Sequence, residues 1–201
     1  MTSQNGRVFL LRHGETAWSA TGRHTGRTDV PLTDSGRAAA ARAGQALERL
    51  RGSDAPPPVR VLSSPRSRAR DTAELAGLRI DAVDERLSEW DYGEAEGRTT
   101  PEIRESLPGW TIWDGPWRGG ETPDDVTARA DAVLDDLRGL LHGGDVVLVG
   151  HGHFGRVLAV RWIGMSATGG VHVRMDAAAV TVLGHERGVP RLDHVNQLPP
   201  P

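Results

Sequence analysis

The sequence predicts an α/β protein, a three-layer α/β/α sandwich in which helices cover both faces of a mostly parallel central sheet. Short apolar runs, typical of buried strands, alternate along the chain with segments whose apolar residues recur at the helical period. The chain of 201 residues, 37% of them hydrophobic, is also long enough to bury a real core. We therefore expect residues 1–201 to form a single domain.

The first half of the chain predicts three strands and two helices. In chain order these are a strand over 8–11, a helix from 34 to near 52, a strand over 59–62, a helix over 65–75 and a strand over 79–83. One face of the first helix is apolar, formed by Ala39, Ala43, Ala46, Leu47 and Leu50. The pair Ser64-Pro65 is typical of an N-cap followed by the first helical position, so we expect Ser64 to cap the second helix.

The second half begins with residues 84–122, which are rich in Gly, Pro, Trp and charge and predict an irregular insertion with one short helix near 101–106. The elements predicted after it are a helix over 122–143, a strand over 146–149, a helix over 154–162 and short strands over 171–173, 180–183 and 191–195. The first of these helices carries an apolar stripe of Val126, Ala130, Val133, Leu134, Leu137 and Leu141. Residues 198–201 are expected to be disordered.

Composition excludes several classes of protein. The net charge is −3 and the charges are well mixed, without the basic block of a protein that binds nucleic acid or a membrane surface. Cysteine is absent, which excludes disulfides, cysteine-ligated zinc and a thiol nucleophile. The polar start of the chain and the four-residue apolar run after it do not resemble a signal peptide or a membrane span, so we expect a cytoplasmic protein.

Three apolar runs end abruptly in polar or basic residues, at Arg12-His13, at Ser63-Ser64 and at His151. Ligands of open α/β sheets bind outside the carboxyl ends of the strands, so these residues are expected to meet in one cleft. The helix that follows Ser64 also carries Arg66, Arg68 and Arg70 near its start, where the helix dipole is already positive. An anionic ligand, phosphate in particular, would offset this accumulation of positive charge.

Five motifs in a fixed order sharpen this interpretation. They are residues 11–16 (Leu-Arg-His-Gly-Glu-Thr) with Thr25-Gly26 and 29–33 after them, residues 63–73, residues 89–93 (Glu-Trp-Asp-Tyr-Gly), residues 119–122 and Gly150-His151-Gly152. Together they resemble the signature of the histidine phosphatase superfamily, the group of the cofactor-dependent phosphoglycerate mutases and related phosphatases. Over its whole length the chain looks most like the actinobacterial mutase-like acid phosphatases. The resemblance implies a phosphoglycerate mutase-like fold.

The resemblance also implies a role for each matching residue. His13 would be the nucleophile that forms a phosphohistidine, with His151, Arg12 and Arg68 around the transferring phosphoryl group. Glu89 would protonate the leaving oxygen and then deprotonate the attacking water. No metal or other cofactor is implied. The remaining predicted substrate-binding residues are Ser19, Thr25, Gly26, Tyr92 and Gly152.

Two positions depart from the mutase pattern. Ser19 follows Trp18 where the mutases usually have Asn, and Arg66 stands where Leu is common. Arg66 either adds positive charge near the pocket or faces solvent.

The other histidines are interpreted as bystanders, that is, as surface or satisfied core residues: His24, His142, His153, His172, His185 and His194. Trp110, Trp113 and Trp117 are expected to pack the insertion, with pocket lining as the alternative.

The function favoured by the sequence is hydrolysis of small phosphorylated metabolites. The mutases that the chain resembles are generally longer after the Glu motif, where an extra segment helps to close the site, and this chain is short there. A mutase must shut water out and a phosphatase must admit it, so the shorter segment favours a phosphatase. A cofactor-dependent phosphoglycerate mutase is the alternative, and a non-catalytic phospho-ligand binder ranks last. The expected partner is the small substrate, with no nucleic acid and no membrane. The oligomeric state stays open, with a homodimer allowed.

Overall fold

A six-stranded β-sheet lies at the centre of the protein, whose computed structural model describes residues 6–200. The strands are β1 (Val8–Arg12), β2 (Arg60–Ser63), β3 (Ala82–Val83), β4 (Val146–Gly150), β5 (Val180–Glu186) and β6 (Val189–Gln197). Their order across the sheet is β3-β2-β4-β1-β5-β6. The first four in that order run parallel to one another, and β5 pairs antiparallel with both β1 and β6. The predicted fold class, with its mostly parallel sheet, is confirmed.

Helices cover both faces of this sheet. They are α1 (Ala17–Ala20), α2 (Asp34–Arg51), α3 (Ser67–Leu75), α4 (Thr100–Arg104), α5 (Pro123–Leu140) and α6 (Gly152–Trp162). Phe9 and Leu11 of β1 pack in one cluster with α2 and α3, while Val8 and Leu10 pack in a second cluster with α5 and α6. Because successive side chains of a strand point to opposite faces, a strand covered on both sides must be apolar throughout, as the runs at β1 and β4 are.

The two longest helices follow the sequence patterns that predicted them. Thr33 caps α2 by accepting a hydrogen bond from the Gly36 backbone, and its predicted apolar face lies buried or half-buried against the sheet. Thr122 and Asp125 form a capping box at the start of α5, and all six residues of its apolar stripe are buried. No helix within residues 6–200 is both long and apolar enough to cross a membrane.

The start of α3 differs from the prediction. The helix begins at Ser67 with Arg66 at the N-cap position, and Ser64 lies outside it. The hydroxyl of Ser64 lies 2.7 Å from His151 Nε2 and pairs with this ring, and it does not cap α3. Instead, the carboxylate of Asp29 accepts the backbone N–H of Ser67 and so supplies the anion at this helix N-terminus.

Three further segments differ from the expectations. Residues 171–173 were expected to form a strand, but most of this segment belongs to a 3-10 helix, Ala167–His172, in which Gly170 lies against the Trp113 ring and its carbonyl accepts a hydrogen bond from Arg156. Of residues 79–83, only Ala82–Val83 pair in the sheet, as a short edge strand. The tail is ordered as far as Pro200, whose carbonyl accepts a hydrogen bond from Arg42; Pro201 lies outside the described residues.

The insertion at 84–122 is irregular, as predicted, with α4 and two single 3-10 turns as its regular elements within the described chain. Its large side chains Trp90, Trp110 and Trp113 are buried in the cluster formed with α5 and α6. Trp117 is half-buried against the same cluster. The insertion therefore contributes core to the domain, and its tryptophans pack as the sequence led us to expect.

Two glycines test the packing of the helices. A Cβ on Gly44 of α2 would lie 2.5 Å from the carbonyl oxygen of Ala76 at the end of α3, whereas a Cβ on Gly139 of α5 would meet nothing within 4 Å. We expect Gly44→Ala to lower the free energy of unfolding by about 1–3 kcal/mol through overpacking. Gly139→Ala should raise it by about 0.5–1 kcal/mol, because alanine loses less backbone entropy in a helix. Urea denaturation of both variants measures the two effects, and equal effects would contradict the packing of α2 on α3.

Candidate active site

Three strand ends meet at one edge of the sheet, as the sequence predicted. Arg12 ends β1 opposite Gly150 of β4, and His13 and His151 follow directly. The two imidazole rings lie 5.2 Å apart between centroids in an edge-on arrangement. The backbone N–H of His13 also donates to the Gly150 carbonyl, so the two turns are fixed to each other.

His13 is held in one orientation and in one tautomer. Its Nδ1 lies 2.7 Å from the carbonyl oxygen of Gly14, and since a carbonyl can only accept, Nδ1 carries the proton and donates. Nε2 is left with its lone pair available. Burial lowers the pKa of His13 well below its ordinary value, and the charges of Arg12 and Arg68 lower it further. The ring is therefore neutral and held in one orientation, with the Nε2 lone pair unprotonated.

His151 is the second buried imidazole of the cleft. Its Nε2 pairs with the hydroxyl of Ser64 at 2.7 Å, and its Nδ1 is buried with no partner among the described residues. Burial, followed by the charge of Arg68, holds the pKa of His151 well below its ordinary value. A Ser64 hydroxyl that donates to Nε2 would leave the proton on Nδ1, and this nitrogen would then be a donor for a ligand.

Arg68 is wholly buried and organises the loop after α1. Its guanidinium donates to the carbonyls of Thr28 at 2.8 Å, Thr25 at 3.0 Å and Gly26 at 3.2 Å. Asp29 is 3.8 Å away, and Nε has no acceptor in residues 6–200. The guanidinium is thus fixed by backbone carbonyls, which carry no net charge, while the carboxylates of Asp29 and Glu89 act on it from further away.

Arg12 is placed from the other side of the cleft. One terminal nitrogen donates to the Met175 carbonyl at 2.7 Å, while Nε is buried without an acceptor in the described chain. A Cβ on Gly152 would lie 3.3 Å from the guanidinium carbon of Arg12. The predicted site residue Gly152 therefore permits a close approach of Arg12 to the start of α6.

Glu89 lies at the N-terminus of α6. Oε1 accepts the backbone N–H groups of Trp90 and Phe154, both at 2.8 Å, and Oε2 accepts that of His153 at 3.0 Å. Both acceptor sites of Oε1 are filled, whereas Oε2 keeps one lone pair free. The other carboxylates of this acidic stretch have separate tasks: Asp84 pairs with Arg86, Asp91 with Arg27, and Glu96 accepts backbone N–H groups.

Three predicted substrate contacts have their donors engaged within the protein. The Ser19 hydroxyl forms the capping box of α1 with Thr16. The Thr25 hydroxyl donates to the Arg23 carbonyl, and the Gly26 N–H donates to Glu96. Both Thr25 and Gly26 nevertheless reach the site through the carbonyls that hold Arg68.

A buried polar cluster lies beside Glu89 and includes His24 and His153, which the sequence analysis interpreted as bystanders; the sequence did not predict that the two pack together. The hydroxyl of Tyr92 lies 2.6 Å from His153 Nδ1, and the His24 ring packs on Tyr92 and Trp110. Burial lowers the pKa of His153 well below its ordinary value and that of His24 to about 4, and burial raises the pKa of Tyr92. The available signal was the position of His153, two residues after His151.

The described part of the chain, residues 6–200, contains no group of three or more His, Asp or Glu side chains placed to hold a metal ion. The donors that converge on the cleft are guanidinium and imidazole N–H groups. Such a set is suited to an anion with several oxygens, such as a phosphoryl group.

Comparison with known proteins agrees with this geometry. Residues 8–198 match the histidine phosphatase superfamily (branch 1). The chain belongs to this superfamily. It is 46% identical to an acid phosphatase of Mycobacterium tuberculosis, over 96% of this chain and 93% of that one. It is 32% identical to the sedoheptulose 1,7-bisphosphatase of Saccharomyces cerevisiae, over 82% and 70% of the two chains.

The fold of this histidine phosphatase also matches a solved structure, that of the open reading frame Rv3214 from Mycobacterium tuberculosis. The TM-score is 0.93 at 44% identity, and the match covers 98% of this chain and 100% of the other. The resemblance to actinobacterial acid phosphatases inferred from the motifs is therefore confirmed. Superfamily and relatives together support a phosphatase.

The buried histidines make the stability of this histidine phosphatase depend on pH. Their pKa values lie below the ordinary 6.5, so acid protonates the unfolded chain before the folded one and stability falls as the pH drops below that value. With a folded pKa of about 4, His24 alone accounts for a loss of about 2 kcal/mol between about pH 7 and about pH 5. Denaturant titration of His24→Gln should show this loss removed. The control His142→Gln alters an exposed side chain and should keep the wild-type pH dependence.

Proposed function

We propose that this protein is a metal-independent phosphomonoesterase that hydrolyses small phosphorylated metabolites through a phosphohistidine on His13. The observation that carries the proposal is the hydrogen bond from His13 Nδ1 to the Gly14 carbonyl, which presents a neutral Nε2 to a pocket lined by Arg12, Arg68 and His151. The expected partner is the small substrate, in a cytoplasmic protein that binds neither nucleic acid nor membrane.

In the first step the Nε2 lone pair of His13 forms a bond to phosphorus as the bond from phosphorus to the ester oxygen breaks. The leaving oxygen needs a proton, and Glu89 supplies it from Oε2, the carboxyl oxygen with a free lone-pair site. The other oxygen accepts two backbone N–H groups and keeps the carboxyl group in place. The products of this step are the alcohol, phosphorylated His13 and ionised Glu89.

The phosphoryl oxygens carry negative charge throughout this transfer. The unpaired Nε–H groups of Arg12 and Arg68 and the Nδ1–H of His151 are buried donors available to those oxygens. Donors fixed in a buried site stabilise the developing charge strongly, because they need no reorganisation when the reaction occurs. The clamp of carbonyls around Arg68 supplies that rigidity.

In the second step water attacks the phosphorus of phosphohistidine. Glu89, now ionised, removes a proton from this water, the bond between phosphorus and Nε2 breaks, and phosphate leaves. Glu89 thereby regains the proton that the first step consumed. His13 returns to its neutral tautomer, which the Gly14 carbonyl favours.

The nucleophile is tested by His13→Ala. Release of phosphate from p-nitrophenyl phosphate in excess EDTA should persist in the wild type and fall by at least about a thousandfold in the variant. Acid-labile protein-bound phosphate should be trapped by rapid quenching of the wild type alone. A requirement for a divalent metal would contradict the mechanism. Interconversion of 2- and 3-phosphoglycerate faster than hydrolysis would identify a mutase, and tight binding without turnover a phospho-ligand binder.

The acid is tested by Glu89→Gln, which preserves the shape of the side chain. A poor leaving group depends on protonation more than a good one does, so we expect a loss of kcat of about a hundredfold or more on glycerol 3-phosphate. The loss in the rate of phosphorylation should be much smaller on p-nitrophenyl phosphate, whose leaving group needs little protonation. Single-turnover measurements separate this step from hydrolysis. Equal losses on both substrates would mean that Glu89 does not act as the acid.

A further inference from the structure

The two buried histidines of the cleft are held by opposite ring nitrogens. In His13 the protein binds Nδ1, through the Gly14 carbonyl, and Nε2 stays free. In His151 it binds Nε2, which lies 2.7 Å from the Ser64 hydroxyl, and Nδ1 is buried with no partner among residues 6–200. A carbonyl only accepts, so it fixes the proton of His13, whereas a hydroxyl can donate or accept. The direction of the Ser64 hydrogen bond therefore decides what His151 Nδ1 offers to a ligand.

The surroundings of Ser64 favour a hydroxyl that donates to His151. Within the described chain the hydroxyl oxygen has two hydrogen-bond neighbours, the Arg66 backbone N–H at 3.4 Å and His151 Nε2. The N–H of Arg66 can only donate, so Nε2 is the neighbour that can take the hydroxyl proton. Ser64 is wholly buried, so water does not replace Nε2 as the acceptor. If Nε2 donated instead, the hydroxyl proton would be buried without an acceptor, which is unfavourable.

The backbone holds the Ser64 hydroxyl in this place. The N–H of Ser64 donates to the Val149 carbonyl at 2.9 Å, on the strand that leads to His151. The Ser64 carbonyl accepts the Ser63 hydroxyl at 3.0 Å. Although the pair Ser64-Pro65 is typical of a helix start, Ser64 does not cap α3. Its hydroxyl is used for the imidazole instead of the helix.

A proton on His151 Nδ1 would match the other unpartnered groups of the cleft. The Nε–H groups of Arg12 and Arg68 are likewise buried and have no acceptor in residues 6–200. Burial, followed by the charge of Arg68, lowers the pKa of His151 well below its ordinary value, so the ring is neutral and carries one proton. With that proton on Nδ1, all three groups are donors for the oxygens of an anion, whereas a lone pair on Nδ1 would repel those oxygens.

Building on the proposed function, we propose that Ser64 is a positioning residue that holds the single proton of His151 on Nδ1 by donating to Nε2. His13 and His151 then have the same tautomer but present different nitrogens to the substrate. His13 directs the lone pair of Nε2 at phosphorus, and His151 directs the N–H of Nδ1 at the phosphoryl oxygens. In this role Ser64 acts through His151.

NMR of the full chain, with histidine isotopically labelled at the ring nitrogens, measures where the proton lies, because protonated and unprotonated nitrogens differ in chemical shift. The His151 signals are assigned by their absence from His151→Gln. The wild type should have Nδ1 of His151 protonated and Nε2 unprotonated. Ser64→Ala should move the proton at least partly to Nε2, whereas Ser64→Thr, which keeps the hydroxyl, should retain the wild-type pattern.

Ser63→Ala is the matched control, because Ser63 is also wholly buried but its hydroxyl contacts the Ser64 carbonyl and not the ring. It should keep the tautomer of His151. A proton on Nε2 in the wild type would overturn the proposal whether or not the variants fold. An unchanged tautomer in Ser64→Ala, or an equal change in Ser63→Ala, would overturn it too.

Binding of inorganic phosphate, measured by calorimetry, links the tautomer to the ligand. Ser64→Ala should weaken binding by about tenfold or more, since a hydrogen bond to a charged oxygen is lost, and Ser63→Ala by less than about threefold. The kcat/KM for p-nitrophenyl phosphate should fall in parallel in Ser64→Ala and be largely restored in Ser64→Thr. A changed tautomer with unchanged phosphate affinity would overturn the proposal. A wild type that shows these binding effects but hydrolyses no phosphomonoester would overturn the proposed function and still support the role of Ser64.

Discussion

The burial of Arg68 is the constraint on which the rest of the site depends. A guanidinium without contact to water is strongly unfavourable unless oxygen atoms surround it, and the carbonyls of Thr25, Gly26 and Thr28 meet that need. Those carbonyls lie on the loop after α1, so Arg68 fixes that loop against α3. Asp29, one residue further, then caps the same helix through Ser67. Burial of one cation thereby determines the path of the loop and the start of the helix.

Burial also determines the state of the histidines, here the burial of the imidazole rings themselves. A protonated imidazole in this cleft would be desolvated and would also be repelled by the buried Arg68 and the half-buried Arg12, so His13 and His151 are neutral. A neutral His13 has the lone pair that a nucleophile needs, and the Gly14 carbonyl decides which nitrogen presents it. In the proposed reaction the arginines therefore have two effects, since they attract the anionic substrate and add to the burial that keeps His13 unprotonated.

The sequence predicted the elements that regular periodicity specifies. The apolar runs of β1 and β4 and the stripes of α2 and α5 gave the sheet and both layers, and the motifs located His13, Arg68 and His151. What it missed depends on contacts between distant segments. Ser64 and Pro65 carry a local helix-start signal, but the attraction of His151 for the Ser64 hydroxyl overrides it. The burial of His24 arises from Tyr92 and Trp110, which the fold brings to it from far along the chain.

The contrast between features set by local sequence pattern and features set by contacts between distant segments explains why the reaction is easier to infer than the substrate. The groups proposed to hold the phosphate follow strand ends or occupy the first turns of helices, where sequence pattern and position correspond closely. Glu89 belongs to the irregular insertion, whose structure the sequence predicts poorly. Its carboxylate accepts hydrogen bonds from the backbone N–H groups at the start of α6. The side chains around Glu89 include Tyr92, whose hydroxyl pairs with His153. The surroundings of the proposed acid therefore depend on tertiary contacts that no local pattern specifies.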